Sequence, residues 1–242
     1  MAKRESALTL SRMVHFTLFG IPVYIRPSFW VVLAIFGGAL SISSVEDLIY
    51  PALFVIAGFV AILSHEMGHA LVGRKLGGGQ QTIVLELFGG LTSSHGMQLT
   101  RGGRALMILA GPMMTLLLGI ISLWLTWNIV APVMTSYNLN FWDLAISPFT
   151  AALISPKLYI LSCLIMIGEW WTILNLLPIY PLDGGQLIAQ YIRSPRKVFM
   201  TGFITAILIG LLSFQLFHGY FIPIFMALFA YSNYREYKNA PF

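Results

Sequence analysis

The sequence has few charged residues and a single cysteine. Charged side chains make up 10% of its 242 residues, 57% are hydrophobic, and the mean hydropathy is +0.81. This shortage of charge excludes an ordinary soluble domain, in which about 25% of residues are charged. With Cys163 as its single cysteine, the chain cannot form an intrachain disulfide. Its cysteine content therefore does not indicate whether it functions in an oxidising or a reducing compartment. The composition predicts an α-helical polytopic membrane protein embedded in a lipid bilayer.

The excess of positive charge does not indicate a nucleic-acid partner. The net charge is +5, but the lysines and arginines lie in short clusters between apolar runs. Membrane topology explains these clusters better, because cytoplasmic loops are enriched in lysine and arginine. With six spans, every one of the 14 Lys and Arg residues except Lys157 falls on one side. We therefore expect cytoplasmic termini and a location in the cell (inner) membrane of a prokaryote.

The chain divides into a short amino-terminal segment and one membrane domain. Residues 1–27 combine a basic start with a β-rich stretch from Val14 to Arg26, which predicts a short strand or two along the cytoplasmic membrane surface. Residues 28–242 form the predicted membrane domain, with about six transmembrane helices. The spans are expected at about Ser28–Val45, Leu48–Val72, Ala105–Val130, from Leu158 onward, Val198–Phe217 and Tyr220–Tyr234.

A small β-hairpin is predicted between the second and third spans. Three glycines at 77–79 end the second helix, and Gln81–Leu91 alternates imperfectly between apolar and polar residues. This pattern predicts a strand, a turn or bulge at Gly89 and Gly90, and a second short strand near Leu91–Ser94. The loop is too short and too apolar for a separate domain, so we expect it to pack against the helices.

The motif H-E-x-x-H, residues 65–69, lies inside the second predicted span. Ionisable groups are costly in a bilayer, so their presence there indicates a function. Positions four apart share a helix face, so His65 and His69 are able to hold one divalent metal ion while Glu66 acts as general base on a water molecule. The alternatives are chance, or histidines that only hydrogen-bond within a helix bundle, which would leave Glu66 without a role.

A second motif, N-L-L-P-I-Y-P-L-D-G-G at residues 175–185, interrupts the fourth span. Two prolines three apart followed by Asp-Gly-Gly exclude a regular helix. Such a segment survives at membrane depth only where it is buried in protein or lines a cavity. Asp183 approaches the same membrane face as the histidines, so it is the best acidic candidate for a third metal ligand. Glu169, expected at a helix contact, and His95, expected in a surface loop, are the next candidates.

With these two motifs the chain resembles the site-2 protease family of intramembrane zinc metalloproteases. Residues 65–69 match the zinc motif of that family, residues 175–185 match its N-x-x-P-x-x-P-L-D-G motif, and Phe19–Val23 matches a common amino-terminal lead-in. The resemblance implies a zinc-dependent intramembrane endopeptidase with one zinc ion per chain. Its partners would be transmembrane protein substrates, cut near the cytoplasmic face in regulated intramembrane proteolysis.

The resemblance also implies roles for individual residues within a catalytic core at about residues 48–190. The zinc ligands would be His65, His69 and Asp183, the catalytic base Glu66, and the substrate cleft would include Asn175, Gly89 and Gly90. The hairpin around Phe88 would hold the substrate extended. One departure is Thr115, which replaces the asparagine of the family pattern G-P-x-x-N and leaves its own role open. The PDZ and CBS domains of many relatives are not expected in this chain.

Two other functions fit part of this pattern. A metal-ion transporter or channel would use the same ligands as a transit site, but it would be expected to carry more than one ionisable layer along its path. A non-catalytic relative that only binds transmembrane partners would not need Glu66. The sequence predicts neither the substrate, nor the activating signal, nor the oligomeric state.

Overall fold

A computed structural model describes residues 14–87, 89–96, 98–132 and 140–241. The predicted basic start, Phe88 and part of the loop at 131–156 lie outside these described residues. The strands are β1 (Val14–Leu18), β2 (Ile21–Ile25), β3 (Gln80–Glu86) and β4 (Gly89–His95). The helices are α1 (Pro27–Phe36), α2 (Ile49–Gly77), α3 (Arg101–Val130), α4 (Phe141–Ile146), α5 (Pro148–Ala152), α6 (Pro156–Leu176), α7 (Asp183–Ala189), α8 (Pro195–Phe217) and α9 (Phe221–Asn239).

Within the described ranges, four helices are long and apolar enough to cross a membrane. They are α2 with its preceding turn, α3, α6, and residues 195–216 of α8. The shortest, α6, has 21 residues. At about 1.5 Å per residue it spans about 30 Å, the thickness of a bilayer's hydrocarbon core. The prediction of a helical multi-pass membrane protein is confirmed.

The count of about six long spans needs a correction at the first position. The helix predicted over Ser28–Val45 ends at Phe36 after 10 residues, and about 15 Å of helix covers only half of a hydrocarbon core. Gly37 and Gly38 end it, because Gly38 takes a left-handed conformation with φ of 89°. The last predicted span, Tyr220–Tyr234, is helical as part of α9. This helix continues beyond the span through Arg235, Glu236 and Lys238 and is less apolar than the four long helices.

The four strands form one sheet in the order β1-β2-β3-β4. The β1/β2 and β3/β4 pairs are antiparallel, whereas β2 and β3 are parallel. Alternate residues of β2 and β3 are buried, and Val23, Ile83 and Leu85 pack in a core with Phe29 of α1 and Met67 of α2. The two predicted strand regions are confirmed, and their union in a single sheet was not predicted. Strand β4 lies at one end of that sheet, beside α2.

Small residues allow the long helices to approach closely. A Cβ on Gly68 of α2 would overlap the carbonyl oxygen of Ala110 in α3. Likewise, a Cβ on Gly168 of α6 would lie 3.1 Å from the carbonyl oxygen of Thr115 in α3. The H-E-x-x-H turn of α2 is thereby enclosed between α3 and strand β4.

Candidate metal centre

Two histidine nitrogens and one carboxylate oxygen meet in the interior. The Nε2 atom of His65 lies 3.0 Å from Oδ2 of Asp183 and 3.1 Å from Nε2 of His69. The Nε2 atom of His69 lies 3.4 Å from the same Asp183 oxygen. All three residues are buried, with 2%, 8% and 6% of their surface exposed for His65, His69 and Asp183. In the part of the chain that the structure describes, this is the one group of three or more His, Cys, Asp or Glu residues close enough to hold a metal ion.

The spacing and chemistry of these donors fit zinc. Bonds of about 2.0–2.1 Å in a tetrahedral zinc site place neighbouring ligand atoms about 3.3 Å apart. The three observed separations run from 3.0 to 3.4 Å. Two imidazoles and one carboxylate are also a common protein ligand set for catalytic zinc, which keeps a fourth position open. The residues present are therefore suitable for holding one zinc ion.

The backbone of α3 fixes the orientation of His69. Its Nδ1 atom lies 2.8 Å from the carbonyl oxygen of Met107, which can only accept a hydrogen bond. In a neutral imidazole the proton must then lie on Nδ1, and the Nε2 lone pair is free to bind a metal. Gly111, one helical turn after Met107, leaves space for this ring, since a Cβ there would overlap Nε2 of His69.

Asp183 reaches the histidines because the chain turns back at the end of α6. A Cβ on Gly184 would overlap the carbonyl oxygens of Leu176 and Leu177, and one on Gly185 would overlap the backbone of Ile179. The two glycines that follow Asp183 therefore allow the start of α7 to pack directly on the end of α6. This packing places Asp183 at the first position of α7, facing α2.

Glu66 lies beside the donor group but is not part of it. Its carboxylate faces β4, where the Oγ1 atom of Thr92 donates a hydrogen bond of 2.7 Å to Oε2. Only 5% of Glu66 is exposed, and a Cβ on Gly90 would overlap its side chain. Thr92 and Gly90 are two residues apart on one face of β4, so that face holds the carboxylate in place.

The remaining candidate residues, Asn175, Glu169 and His95, lie outside the donor group. Asn175 is 8% exposed near the end of α6, where its Nδ2 atom donates to the carbonyl oxygen of Trp171 at 2.9 Å. The ring of Trp171 stands edge-on to His65, with centroids 6.5 Å apart, and lies against Gly89. Glu169 and His95 are exposed and do not join the donor group.

Thr115 is fully buried, and its Oγ1 atom lies 2.8 Å from Oγ1 of Thr172. The hydroxyl pair links α3 to α6 one helical turn beyond Gly111. Thr115 thus contacts another helix rather than the donor atoms.

Sequence reasoning missed three contributors to this site: Thr92, the carbonyl of Met107, and Gly111. Strand alternation places Thr92 on the same face as Gly90, so the predicted second strand contained a usable signal for it. The Met107 carbonyl has no such signal, because any residue supplies a backbone oxygen. Gly111 was visible only as the glycine of the family pattern G-P-x-x-N, with no role attached to it.

Comparisons with known proteins agree with this geometry. Residues 53–217 match the sequence profile of Peptidase family M50. A zinc metalloprotease of Methanocaldococcus jannaschii is 29% identical over 227 residues, which cover 89% of this chain and 57% of the relative. A putative zinc metalloprotease of Synechocystis is 28% identical over 188 residues, covering 73% and 43% of the two chains. The chain spans about half the length of the curated relatives it matches.

The fold also resembles a solved structure. The site-2 protease from Methanocaldococcus jannaschii matches with a TM-score of 0.59 and 24% sequence identity, covering 93% of this chain and 95% of that chain. This likeness concerns the fold, whereas the profile match spans more than half of the sequence and includes all three donor residues and Glu66. The chain therefore belongs to Peptidase family M50, and its relatives carry the names of zinc metalloproteases.

Proposed function

We propose that this protein is a zinc-dependent intramembrane endopeptidase that cuts transmembrane segments of membrane proteins near the cytoplasmic face. The observation that carries the proposal is one buried cluster: Nε2 of His65, Nε2 of His69 and Oδ2 of Asp183 within 3.4 Å of one another, with Glu66 adjacent in sequence. The three residues would hold one zinc ion per chain. We propose this cleavage as a step of regulated intramembrane proteolysis.

Zinc, when bound, supplies a Lewis acid that acidifies water and polarises the carbonyl of the scissile bond. Glu66 accepts the proton of the attacking water and delivers it to the departing amine, so one carboxylate serves as base and then as acid. The hydrogen bond from Thr92 fixes the orientation of that carboxylate. The burial of Glu66 and of the histidines limits access of bulk water to the reacting groups.

Strand β4 offers a way to hold the substrate extended. A helical peptide bond is sterically shielded, so a transmembrane substrate must unwind before cleavage. β4 is the terminal strand of the sheet, and Gly90 and Thr92 on it contact Glu66. A substrate segment that adds to its edge as a further strand would lie next to the base. Asn175, Gly89 and Gly90 are the proposed cleft residues.

The charge distribution supports a catalytic site near the cytoplasmic face. The proposal of cytoplasmic termini is supported by the pairing of β2 with β3, which follows the carboxyl end of α2, and by Arg235 and Lys238 near the end of α9. Because consecutive spans run in opposite directions, the carboxyl ends of α2 and α6 lie on the same side as the amino ends of α3 and α8. Lysine and arginine flank these four ends, whereas the amino end of α6 carries only Lys157. The residues on the richer side are Arg74, Lys75, Arg101, Arg104, Arg193, Arg196 and Lys197. By the positive-inside rule, that side is cytoplasmic.

The test is cleavage of a single-span membrane protein by the purified protein in liposomes, read as fragments by mass spectrometry. The variant Glu66→Gln keeps the shape of the side chain but removes the group that accepts the proton. General-base catalysis contributes about 10²- to 10⁴-fold, so cleavage should fall by that factor while zinc stays bound. Equal cleavage by Glu66→Gln and wild type would overturn the mechanism. Zinc transport without cleavage by either protein would favour a transporter.

A further inference from the structure

The last helix, α9, contacts the segment that carries Asp183. The Nδ2 atom of Asn233 donates a hydrogen bond of 2.7 Å to the carbonyl oxygen of Tyr180 and one of 2.9 Å to that of Phe229 in its own helix. Asn233 is 1% exposed. Tyr180 precedes Asp183 by three residues in the interrupted stretch between α6 and α7. A single buried amide therefore joins the end of the chain to the segment that presents the carboxylate.

The surroundings of Asn233 leave its side chain little freedom. A Cβ on Gly202 of α8 would overlap Oδ1 of Asn233 and would lie 3.3 Å from the backbone nitrogen of Tyr180, so α8 packs against both residues. Ile179, next to Tyr180, is fully buried in one core with Met226 and Ala230 of α9. The hairpin of α8 and α9 thus contacts this segment through apolar packing on Ile179 and a hydrogen bond to the backbone of Tyr180, whose side chain remains exposed.

We infer that Asn233 is a positioning residue for the metal centre, holding the 179–183 segment so that Asp183 faces His65 and His69. This inference rests on the proposed zinc site. Asn233 touches neither the donor atoms nor Glu66, and it lies beyond the family match, which ends at residue 217. Its effect must pass through the Tyr180 carbonyl and the three residues that follow it.

A hydrogen bond from a buried amide is suited to such a role. The Tyr180 carbonyl accepts this bond from Asn233, and losing the donor would favour a shift of the segment toward another donor or toward water. Asp183 would move with the segment, whereas His65 and His69 would stay on α2. Partners that orient metal ligands from outside the coordination sphere typically contribute about 10- to 100-fold to metal affinity. Because Asn233 acts through three residues, we expect the lower end of that range.

The test compares Asn233→Leu with Ser213→Ala in the full-length protein. Leucine matches the shape of asparagine but lacks the donor. Ser213 is a matched control in α8: it is 6% exposed and donates a 2.9 Å bond to the carbonyl oxygen of Gly210, away from the Asp183 segment. Zinc affinity is measured by competition with a chelator, and the ligand set by the visible absorption of the cobalt(II)-substituted protein. Thermal unfolding of the metal-free proteins reports any general loss of stability.

We expect Asn233→Leu to weaken zinc binding about tenfold and to alter the cobalt spectrum, while Ser213→Ala leaves both unchanged. Wild-type affinity and spectrum in Asn233→Leu would overturn the inference and leave the proposed protease intact. Absence of zinc binding by wild type would overturn the proposed function as well. If Asn233→Leu does not fold, Asn233→Ala takes its place, because it removes the same donor without adding bulk and is judged by the same two measurements.

Discussion

The Oδ2 atom of Asp183 lies 3.0 Å from Nε2 of His65, although 118 residues separate them in the chain. The contact joins the first turn of α7 to the middle of α2. It is made possible by the reversal at the end of α6, where Gly184 packs against two carbonyl groups.

The first prediction concerns the third ligand. Asp183→Ala should lower zinc occupancy of the purified protein strongly, because it removes one of three protein donors and leaves two imidazoles. Glu169→Ala is the matched control, since Glu169 is an exposed carboxylate outside the donor group. Zinc per chain is measured by mass spectrometry of the metal. Full zinc occupancy in Asp183→Ala, together with reduced zinc occupancy in Glu169→Ala, would assign the third ligand to Glu169 instead.

The second prediction concerns the hydrogen bond that orients the base. Thr92→Val keeps the shape of the side chain but removes the hydroxyl that donates to Glu66 at 2.7 Å. The value of kcat should fall about tenfold, which corresponds to about 1.4 kcal/mol, while KM and zinc content change little. Thr92→Ser should restore most of the rate, because it returns the donor. A serine variant as slow as the valine variant would argue for packing by the methyl group instead.

The third prediction separates two glycines that line different parts of the site. A Cβ on Gly90 would overlap the Glu66 side chain, whereas a Cβ on Gly111 would overlap Nε2 of His69. Gly90→Ala should therefore abolish cleavage and retain zinc, and Gly111→Ala should lose zinc as well. Cleavage assays and metal analysis of the same preparations distinguish the two effects.

The control for these variants is Gly102→Ala in α3, where an added Cβ would meet no atom within 4 Å. It should retain both zinc and activity. Loss of zinc from Gly90→Ala would mean that displacement of Glu66 also disturbs the histidines, contrary to the expectation.

The fourth prediction concerns topology. Lys75, near the carboxyl end of α2, and Lys157, near the amino end of α6, are both exposed. Single cysteines at these positions, in a Cys163→Ser background, should react with a membrane-impermeant thiol reagent from opposite sides. Lys157→Cys should be labelled in intact cells and Lys75→Cys only after the membrane is opened. The reverse labelling pattern would mean that the protein has the opposite orientation in the membrane.

Much of the site could be predicted from local sequence. The helical period alone places His65 and His69 on one face, and their imidazole nitrogens indeed lie 3.1 Å apart. The prolines and glycines of residues 175–185 predicted the interruption after the fourth span, which occurs between Leu176 and Asp183. Alternation and paired glycines predicted the hairpin of β3 and β4. These features depend on residues close together in the chain, so the sequence carries them directly.

Other features depend on packing between distant segments. The contact of Thr92 with Glu66 joins residues 26 apart, and that of His69 with the Met107 carbonyl joins residues 38 apart. The early end of α1 was missed because an apolar run continues beyond Gly37 and Gly38, and hydropathy does not register the left-handed turn at Gly38.

The sequence by itself determined a multi-pass helical protein and the H-E-x-x-H motif, with His65 and His69 on one helix face, since composition and periodicity are local properties. Only the tertiary structure decided how these parts meet: that β1 and β2 join the hairpin in one sheet, that β4 holds Glu66, and that α9 contacts the segment before Asp183. The physical reason is that such contacts depend on which surfaces pack closely. That packing is set by small residues such as Gly68 and Gly111, whose neighbours lie far away in the chain.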